Sequence, residues 1–155
     1  MTNSLDGMVL DDAAFQALLG KQIGNHGSAR DVFEHLKDDG LVIKVSKLSS
    51  HFANWTEWML WLQIRDEAAI KSLFGECVAV SASGKYLIME RLDDPVETLP
   101  KDARTYSSWL TDIKASAFGV NAAGAFKLRD YNKPNLGFWL AGAPMRSVQG
   151  RRFFQ

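Results

Sequence analysis

The pattern of hydrophobic and polar positions along the chain predicts an antiparallel sheet with one long helix inserted between its strands. Short apolar and β-branched runs, separated by turn residues such as Asp38-Asp39-Gly40 and Ser83-Gly84, are typical of strands. These runs lie at residues 23–34 (two strands around a turn), 41–45, 76–81 and 86–90. Strands that precede and follow a helix in this way indicate an α+β fold.

The strongest helical periodicity lies at residues 54–69. Four apolar residues recur there at spacings of three and four, namely Trp55, Trp58, Met59 and Leu62. This spacing predicts a helix that buries one face against the sheet. Asn54 is a residue type that commonly caps a helix N-terminus, so the helix is expected to begin there. Shorter helices are expected at residues 13–19 and 103–110.

The C-terminal part of the pattern is more irregular. Residues 93–100 carry a proline near each end and are interpreted as a hinge. Residues 113–130 predict two short strands around Ala122-Ala123-Gly124. The chain is therefore interpreted as one domain, with an N-terminal lobe at 12–92, the hinge at 93–100 and a shortened C-terminal region at 101–155.

Composition restricts the classes of function. The 155 residues are 46% hydrophobic, which is enough for one packed domain. The 18 Lys and Arg residues balance the 18 Asp and Glu residues, which argues against a nucleic-acid partner. Cys77 is the single cysteine, so an intrachain disulfide is excluded and a reducing, cytoplasmic location is expected. No signal peptide and no apolar run of roughly 20 residues is visible, so no membrane partner is expected.

Two features of the predicted sheet carry candidate binding chemistry. Gly24 and Gly27 lie between two strand-like runs, where glycine lets the backbone approach phosphate oxygens closely, although an ordinary hairpin turn is the alternative. Lys44 lies inside the apolar run at 42–45, so its charge requires a partner. The alternative is a solvent-facing lysine on an edge strand.

Asp112, Lys114 and Asp130 form a third group, which taken alone is better explained by surface residues that flank a hairpin. Together with the other segments, in this order and spacing, they resemble the protein-kinase-like fold. More narrowly, the chain is similar to small kinase-like proteins of tailed bacteriophages and bacteria. The resemblance covers about residues 18–133. It rests on residues 29–34 (Ala-Arg-Asp-Val-Phe-Glu), 42–45 (Val-Ile-Lys-Val), 54–58 (Asn-Trp-Thr-Glu-Trp), 83–91 (Ser-Gly-Lys-Tyr-Leu-Ile-Met-Glu-Arg) and 117–119 (Ala-Phe-Gly).

The resemblance implies a site for ATP and Mg²⁺ built mainly on the N-terminal lobe. In protein kinases a glycine-rich lid covers the phosphates, a strand lysine contacts them, and this lysine pairs with a glutamate of the next helix. Gly24 and Gly27 would supply the lid. Lys44 and Glu57 would supply the ion pair.

The resemblance also assigns roles in phosphoryl transfer. Asp112 would accept the proton of the substrate hydroxyl, Lys114 would stabilise the transferred phosphoryl group, and Asp130 would bind Mg²⁺. Several positions depart from the family pattern. Asn25 and Arg30 stand at the first and third glycine positions of the lid, Leu110 and Thr111 replace the histidine and arginine before the catalytic aspartate, and Tyr131 replaces the phenylalanine after Asp130. Ala117 stands where the pattern requires an asparagine ligand to the metal, and Asn132 replaces the glycine that follows the metal-binding aspartate.

Two functions follow from these departures. The first is a non-catalytic or weakly active kinase-like protein (a pseudokinase) that binds a partner protein, which in a phage setting would be a host protein that it inhibits. Its motivation is that the chain ends soon after Asp130, without room for a substrate lobe, and that Trp139 and residues 151–155 supply aromatic and arginine side chains typical of interfaces. Self-association is an alternative to a separate partner. The second function is a minimal Ser/Thr protein kinase that transfers the γ-phosphate of ATP. In a third interpretation, Asp112 and Asp130 are structural and the cleft binds nothing.

Overall fold

The computed structural model describes residues 8–24, 29–47, 51–94, 104–107, 115–133 and 145–148. The strands within these residues are β1 (Met8–Leu10), β2 (Leu19–Ile23), β3 (Arg30–His35), β4 (Leu41–Ser46), β5 (Cys77–Ser81), β6 (Tyr86–Glu90), β7 (Arg104–Ser107), β8 (Phe118–Val120), β9 (Phe126–Leu128) and β10 (Met145–Val148). The helices are α1 (Asp12–Gln16), α2 (His51–Ile64) and α3 (Ala68–Lys71), and a 3-10 turn spans Ala115–Ala117. The expected α+β fold is confirmed.

Six strands form one sheet in the order β1-β5-β6-β4-β3-β2. β1 pairs with β5 in parallel, and the other neighbouring strands are antiparallel. Lys44 lies on β4, opposite Val32 of β3 on one side and Leu87 of β6 on the other. Lys44 is therefore on an interior strand, and only 6% of its surface is exposed. The alternative of a solvent-facing lysine on an edge strand is wrong.

Helix α2 packs against the sheet, as expected, with Trp58 buried and with Trp55 and Leu62 partly buried against the same core. Its fully buried residues are Asn54, Glu57, Trp58, Leu60, Trp61 and Ile64. The assignment of Met59 to the core is wrong, since 48% of its surface is exposed. The apolar spacing also did not include Asn54 and Glu57, which are polar but have hydrogen-bond partners on the buried face. Asn54 also lies inside the helix, which begins at His51, and does not cap it.

Three other boundaries differ from the prediction. The first helix ends at Gln16, so Leu19 begins β2. The helix predicted to end at residue 69 ends at Ile64. The helix expected at 103–110 is wrong, because residues 104–107 form β7 and pair antiparallel with β10. The sequence there, Arg-Thr-Tyr-Ser, contains β-branched and aromatic residues that favour strands when a partner strand is available.

The core occupies both faces of the sheet. Because successive strand residues point to opposite faces, Val42 packs with Trp58 of α2, whereas Ile43 packs with Phe15 of α1. The α1 helix begins after Asp11, whose side chain accepts a hydrogen bond from the backbone N–H of Ala14. The two clusters thus fix both α2 and the N-terminal segment to the same sheet.

The predicted hairpin around Ala122-Ala123-Gly124 is confirmed as β8 and β9. Its Leu128 joins the cluster under α2, and the backbone of Leu128 exchanges hydrogen bonds with Leu73 (2.8 Å) and Gly75 (2.8 Å). The hairpin is thereby attached beside the sheet, and the chain that leaves β9 runs along the buried face of α2. No helix among the described residues is long and apolar enough to span a membrane.

Candidate functional site

Four charged side chains meet where the chain after β9 passes α2. They are Arg30 of β3, Lys44 of β4, Glu57 of α2 and Asp130. We call these four residues the buried charge network. The first three are buried, whereas the side chain of Asp130 is 49% exposed. The network joins the sheet, the helix and the C-terminal hairpin.

Glu57 is the centre of this network. Its side chain is fully buried, and one carboxylate oxygen, Oε2, accepts hydrogen bonds from the Arg30 guanidinium at 2.5 Å and from Lys44 Nζ at 3.0 Å. The other oxygen, Oε1, accepts a hydrogen bond from the backbone N–H of Tyr131 at 2.8 Å. The ion pair predicted between Lys44 and Glu57 is therefore present.

Arg30 is the residue that sequence reasoning missed. Its guanidinium donates to Glu57, to Asn54 Oδ1 at 3.0 Å and to Asp130 Oδ1 at 2.7 Å. The sequence motif placed Arg30 at a glycine position of the lid and gave it no role. The signal that could have found it is strand alternation: Arg30 and Val32 share one face of β3, and Val32 is opposite Lys44.

Lys44 and Asn54 each make more than one hydrogen bond within the site. Lys44 Nζ donates to the backbone carbonyl of Arg129 as well as to Glu57. The side-chain amide of Asn54 donates to the backbone carbonyls of Lys44 at 3.2 Å and Lys85 at 2.9 Å. Buried polar groups that are satisfied in this way hold their elements in one arrangement. Asn54 thus serves as a buried link between α2 and β4.

The charges of the network balance, and this balance determines the ionisation of each group. Burial by itself would raise the pKa of Glu57, but the positive charges of Arg30 and Lys44 and its hydrogen bonds lower that pKa overall. Burial lowers the pKa of Lys44, and the nearby charge of Arg30 lowers it further, against the opposing effect of Glu57. Burial also acts to lower the pKa of Arg30, but Glu57 and Asp130 raise it overall. Glu57 is therefore the buried carboxylate that stabilises the charged forms of both Arg30 and Lys44.

Tyr131 fixes the segment that carries Asp130. Its hydroxyl donates to the carbonyl oxygen of Gly75 at 2.8 Å and lies 3.2 Å from the sulfur of Cys77, while its ring meets Phe74 edge to face at 5.1 Å. Burial raises the pKa of the Cys77 thiol to about 12. A thiol in this state is a packing group and not a nucleophile.

Of the other four predicted site residues, the structure describes Gly24 alone. Gly24 has a φ of 70°, and a Cβ atom added there would meet nothing within 4 Å, as in a solvent-facing turn. Gly27, Asp112 and Lys114 lie outside the described residues, so their roles stay predictions. Of the residues implied by the resemblance, the structure brings together Lys44, Glu57 and Asp130.

The described residues do not fit the Mg²⁺ ion that the resemblance implies. Oδ1 of Asp130 already accepts from Arg30. Ala117 is buried and offers no side-chain oxygen. Across the described ranges, no three His, Cys, Asp or Glu side chains are grouped in a way that could hold a metal ion. Mg²⁺ usually binds through one or two carboxylates together with substrate phosphates and waters. Asp130, with one oxygen bonded to a guanidinium, does not form such a site by itself.

Comparisons with known proteins give matches among solved structures but none among family models or curated proteins. Among solved structures, the chain is similar to the ternary complex of streptomycin, ATP and APH(2″)-IIa, with 17% identity and a TM-score of 0.42. The match covers 59% of this chain and 31% of that chain, so the chain spans about a third of that protein's length.

Proposed function

We propose that this protein is a kinase-like domain that acts by binding a partner protein and not by transferring phosphate. The observation that carries the proposal is the buried charge network. Lys44, which in a kinase contacts the nucleotide phosphates while paired with a glutamate, donates here to the Arg129 carbonyl as well as to Glu57. Asp130, which a kinase would direct to Mg²⁺, accepts from Arg30. The charges of Lys44 and Asp130 are thus each paired with an oppositely charged side chain of the protein.

The energetics of phosphoryl transfer favour this proposal. The protein's part in that reaction is almost entirely positioning and electrostatic stabilisation, for which free cationic groups and bound metal are needed. In an active kinase the strand lysine contacts the phosphates while it stays paired with the glutamate, so the Lys44–Glu57 pair is compatible with both functions. The additional hydrogen bond from Lys44 to the Arg129 carbonyl uses a donor that a phosphate would need. Ala117 removes a further metal ligand. The network is thus better suited to holding one conformation than to catalysis.

The partner surface is proposed in the C-terminal third of the chain. Trp139 and residues 151–155, which lie outside the described residues, carry the aromatic and arginine side chains that are enriched at interfaces. If the chain comes from a bacteriophage, the partner is a host protein and binding inhibits it. A second copy of the chain is the alternative partner.

The second candidate function is a minimal Ser/Thr protein kinase. It is favoured by the Lys44–Glu57 distance of 3.0 Å, since this ion pair must be formed in active protein kinases. The half-exposed Asp130 side chain also leaves one carboxylate face open. In this function Asp112 is the catalytic base, Lys114 stabilises the transferred group, and ATP and Mg²⁺ are required.

Two variants distinguish the functions. We expect Asp112→Ala to leave partner capture from a lysate of the source cells unchanged, because the proposed function uses no catalytic base. We expect deletion of residues 151–155 to weaken capture by about tenfold or more, as loss of an interface hot spot does. Capture is measured by quantitative mass spectrometry of proteins retained by the immobilised chain. Asp102→Ala is the matched control, since it removes a neighbouring aspartate outside the motif.

The same variants can overturn the proposal. If Asp112→Ala abolishes the cellular effect of the protein while Asp102→Ala does not, the kinase function is correct. If the deletion leaves the captured proteins unchanged, the C-terminal segment is not the binding surface. Paired substitutions of Arg151 with Arg152, and of Phe153 with Phe154, then separate charge from apolar contact within the segment.

A further inference from the structure

We infer that Arg30 takes the place beside Asp130 that the resemblance gives to Mg²⁺, and that Arg30 is the residue that excludes the metal. The positive charge beside the Asp130 carboxylate is thus the guanidinium of Arg30, a residue of strand β3. The inference concerns the ligand chemistry of the cleft and holds whichever partner protein the domain binds.

The geometry of Arg30 is that of a fixed cation. One terminal nitrogen donates to Glu57 at 2.5 Å and to Asn54 at 3.0 Å, and the other donates to Asp130 at 2.7 Å. Only 7% of its side chain is exposed. A guanidinium remains charged at all accessible pH values and presents its donors in a planar fork, so it does not leave the site by deprotonation. Arg30 therefore competes with a metal ion for the Asp130 carboxylate at every accessible pH.

Repulsion between positive charges disfavours binding of a metal ion to Asp130 while Arg30 is paired with it. A divalent cation bound to the second carboxylate oxygen of Asp130 would lie close to the guanidinium that is bonded to Oδ1. Lys44 adds a second positive charge, hydrogen-bonded to the carbonyl of Arg129 next to Asp130 in sequence. Repulsion between like charges is strong at such distances in a partly buried site. Removing the guanidinium should remove most of this barrier.

Arg30 also links two carboxylates, as a bridging metal ion would. It ties Asp130 to Glu57 of α2, and the Tyr131 N–H donates to the same glutamate. The segment that in a kinase is organised around Mg²⁺ is thus attached to the helix by protein groups alone. The Asp130–Tyr131 segment is therefore attached to α2 by hydrogen bonds that the protein itself supplies.

The experiment uses Mn²⁺ as the probe, because it takes oxygen ligands as Mg²⁺ does and its free ion is measured by electron paramagnetic resonance. We expect Arg30→Gln to bind Mn²⁺ at least about tenfold more tightly than the wild type. Arg91→Gln is the matched control, because it frees Asp93 and Glu34 from an arginine on the surface. It should leave Mn²⁺ binding unchanged.

The double variant Arg30→Gln/Asp130→Asn should return to the wild-type affinity, since the inference assigns the new site to Asp130. A folded Arg30→Gln protein with no gain in affinity, or a gain that survives in the double variant, overturns the inference. If Arg30→Gln does not fold, the wild type and Asp130→Asn are compared. Equally weak Mn²⁺ binding supports the inference, whereas binding by the wild type that Asp130→Asn removes overturns it.

Discussion

Glu57→Gln is expected to lower the free energy of unfolding by about 3–5 kcal/mol, the usual effect of removing one partner from a buried ion pair. The reason is that Arg30 and Lys44 both donate to the same Glu57 oxygen. A neutral amide leaves the two cations close together without a carboxylate between them. The amide also presents N–H donors where an acceptor is required.

The measurement is urea unfolding followed by circular dichroism. The matched control is Asp94→Asn, which removes a carboxylate that pairs with Arg129 but is 85% exposed. An exposed pair of this kind contributes about 1 kcal/mol or less. If Glu57→Gln is no more destabilising than Asp94→Asn, the network does not hold the fold together.

The effect of Glu57 should depend on pH. Its pKa in the folded protein lies below the ordinary value of 4.5, so its contribution to stability is present above pH 4.5 and is lost as the pH falls through the folded pKa. The stability difference between the wild type and Glu57→Gln should therefore shrink as the pH is lowered from neutral to below 4.5. A difference that stays constant over this range would mean that the charge of Glu57 is not the cause.

Gly119→Ala is the second substitution with a large expected effect, a loss of about 1–3 kcal/mol in the free energy of unfolding. An added Cβ would lie 2.7 Å from Leu92 Cβ and 2.8 Å from the Leu92 carbonyl oxygen. These atoms cannot easily move away, because the backbones of Asp93 and Val120 exchange hydrogen bonds of 3.0 and 2.9 Å beside the contact. The hairpin would have to separate from the sheet.

Gly40→Ala provides the comparison for this prediction. The added Cβ would meet only the side-chain oxygen of Asp38 at 3.2 Å, and a surface side chain can rotate away. Thermal unfolding of both variants should show a clearly lower midpoint for Gly119→Ala alone. Equal midpoints would indicate that β8 is not held against Leu92 in solution.

Sequence reasoning recovered the elements whose signals are local. The strands around Ser83-Gly84 and the hairpin around Ala122-Ala123-Gly124 were predicted because turn residues separate short apolar runs. The Lys44–Glu57 pair was predicted because a lysine in an apolar strand needs a partner, and the resemblance to protein kinases gives that role to a glutamate of the next helix. The hairpins depend on local signals, whereas the ion pair also depended on the resemblance.

The features that were missed depend on contacts between distant parts of the chain. Arg30 and Asp130 are 100 residues apart, and no local pattern relates them. The buried face of α2 was assigned wrongly at Met59 because Asn54 and Glu57 are buried through polar contacts, which hydrophobic periodicity does not detect. β7 was predicted as helix because its pairing strand, β10, lies about forty residues further along the chain.

The most direct test of the account is calorimetric titration of the wild-type protein with ATP in the presence and absence of Mg²⁺. Since Arg30 and Glu57 neutralise the groups that would bind metal and phosphate, we expect either no binding in both conditions or Kd values that agree within about threefold. Affinity that rises about tenfold or more with Mg²⁺, and loses this rise in Asp130→Asn, would contradict the account and establish a metal-dependent nucleotide site.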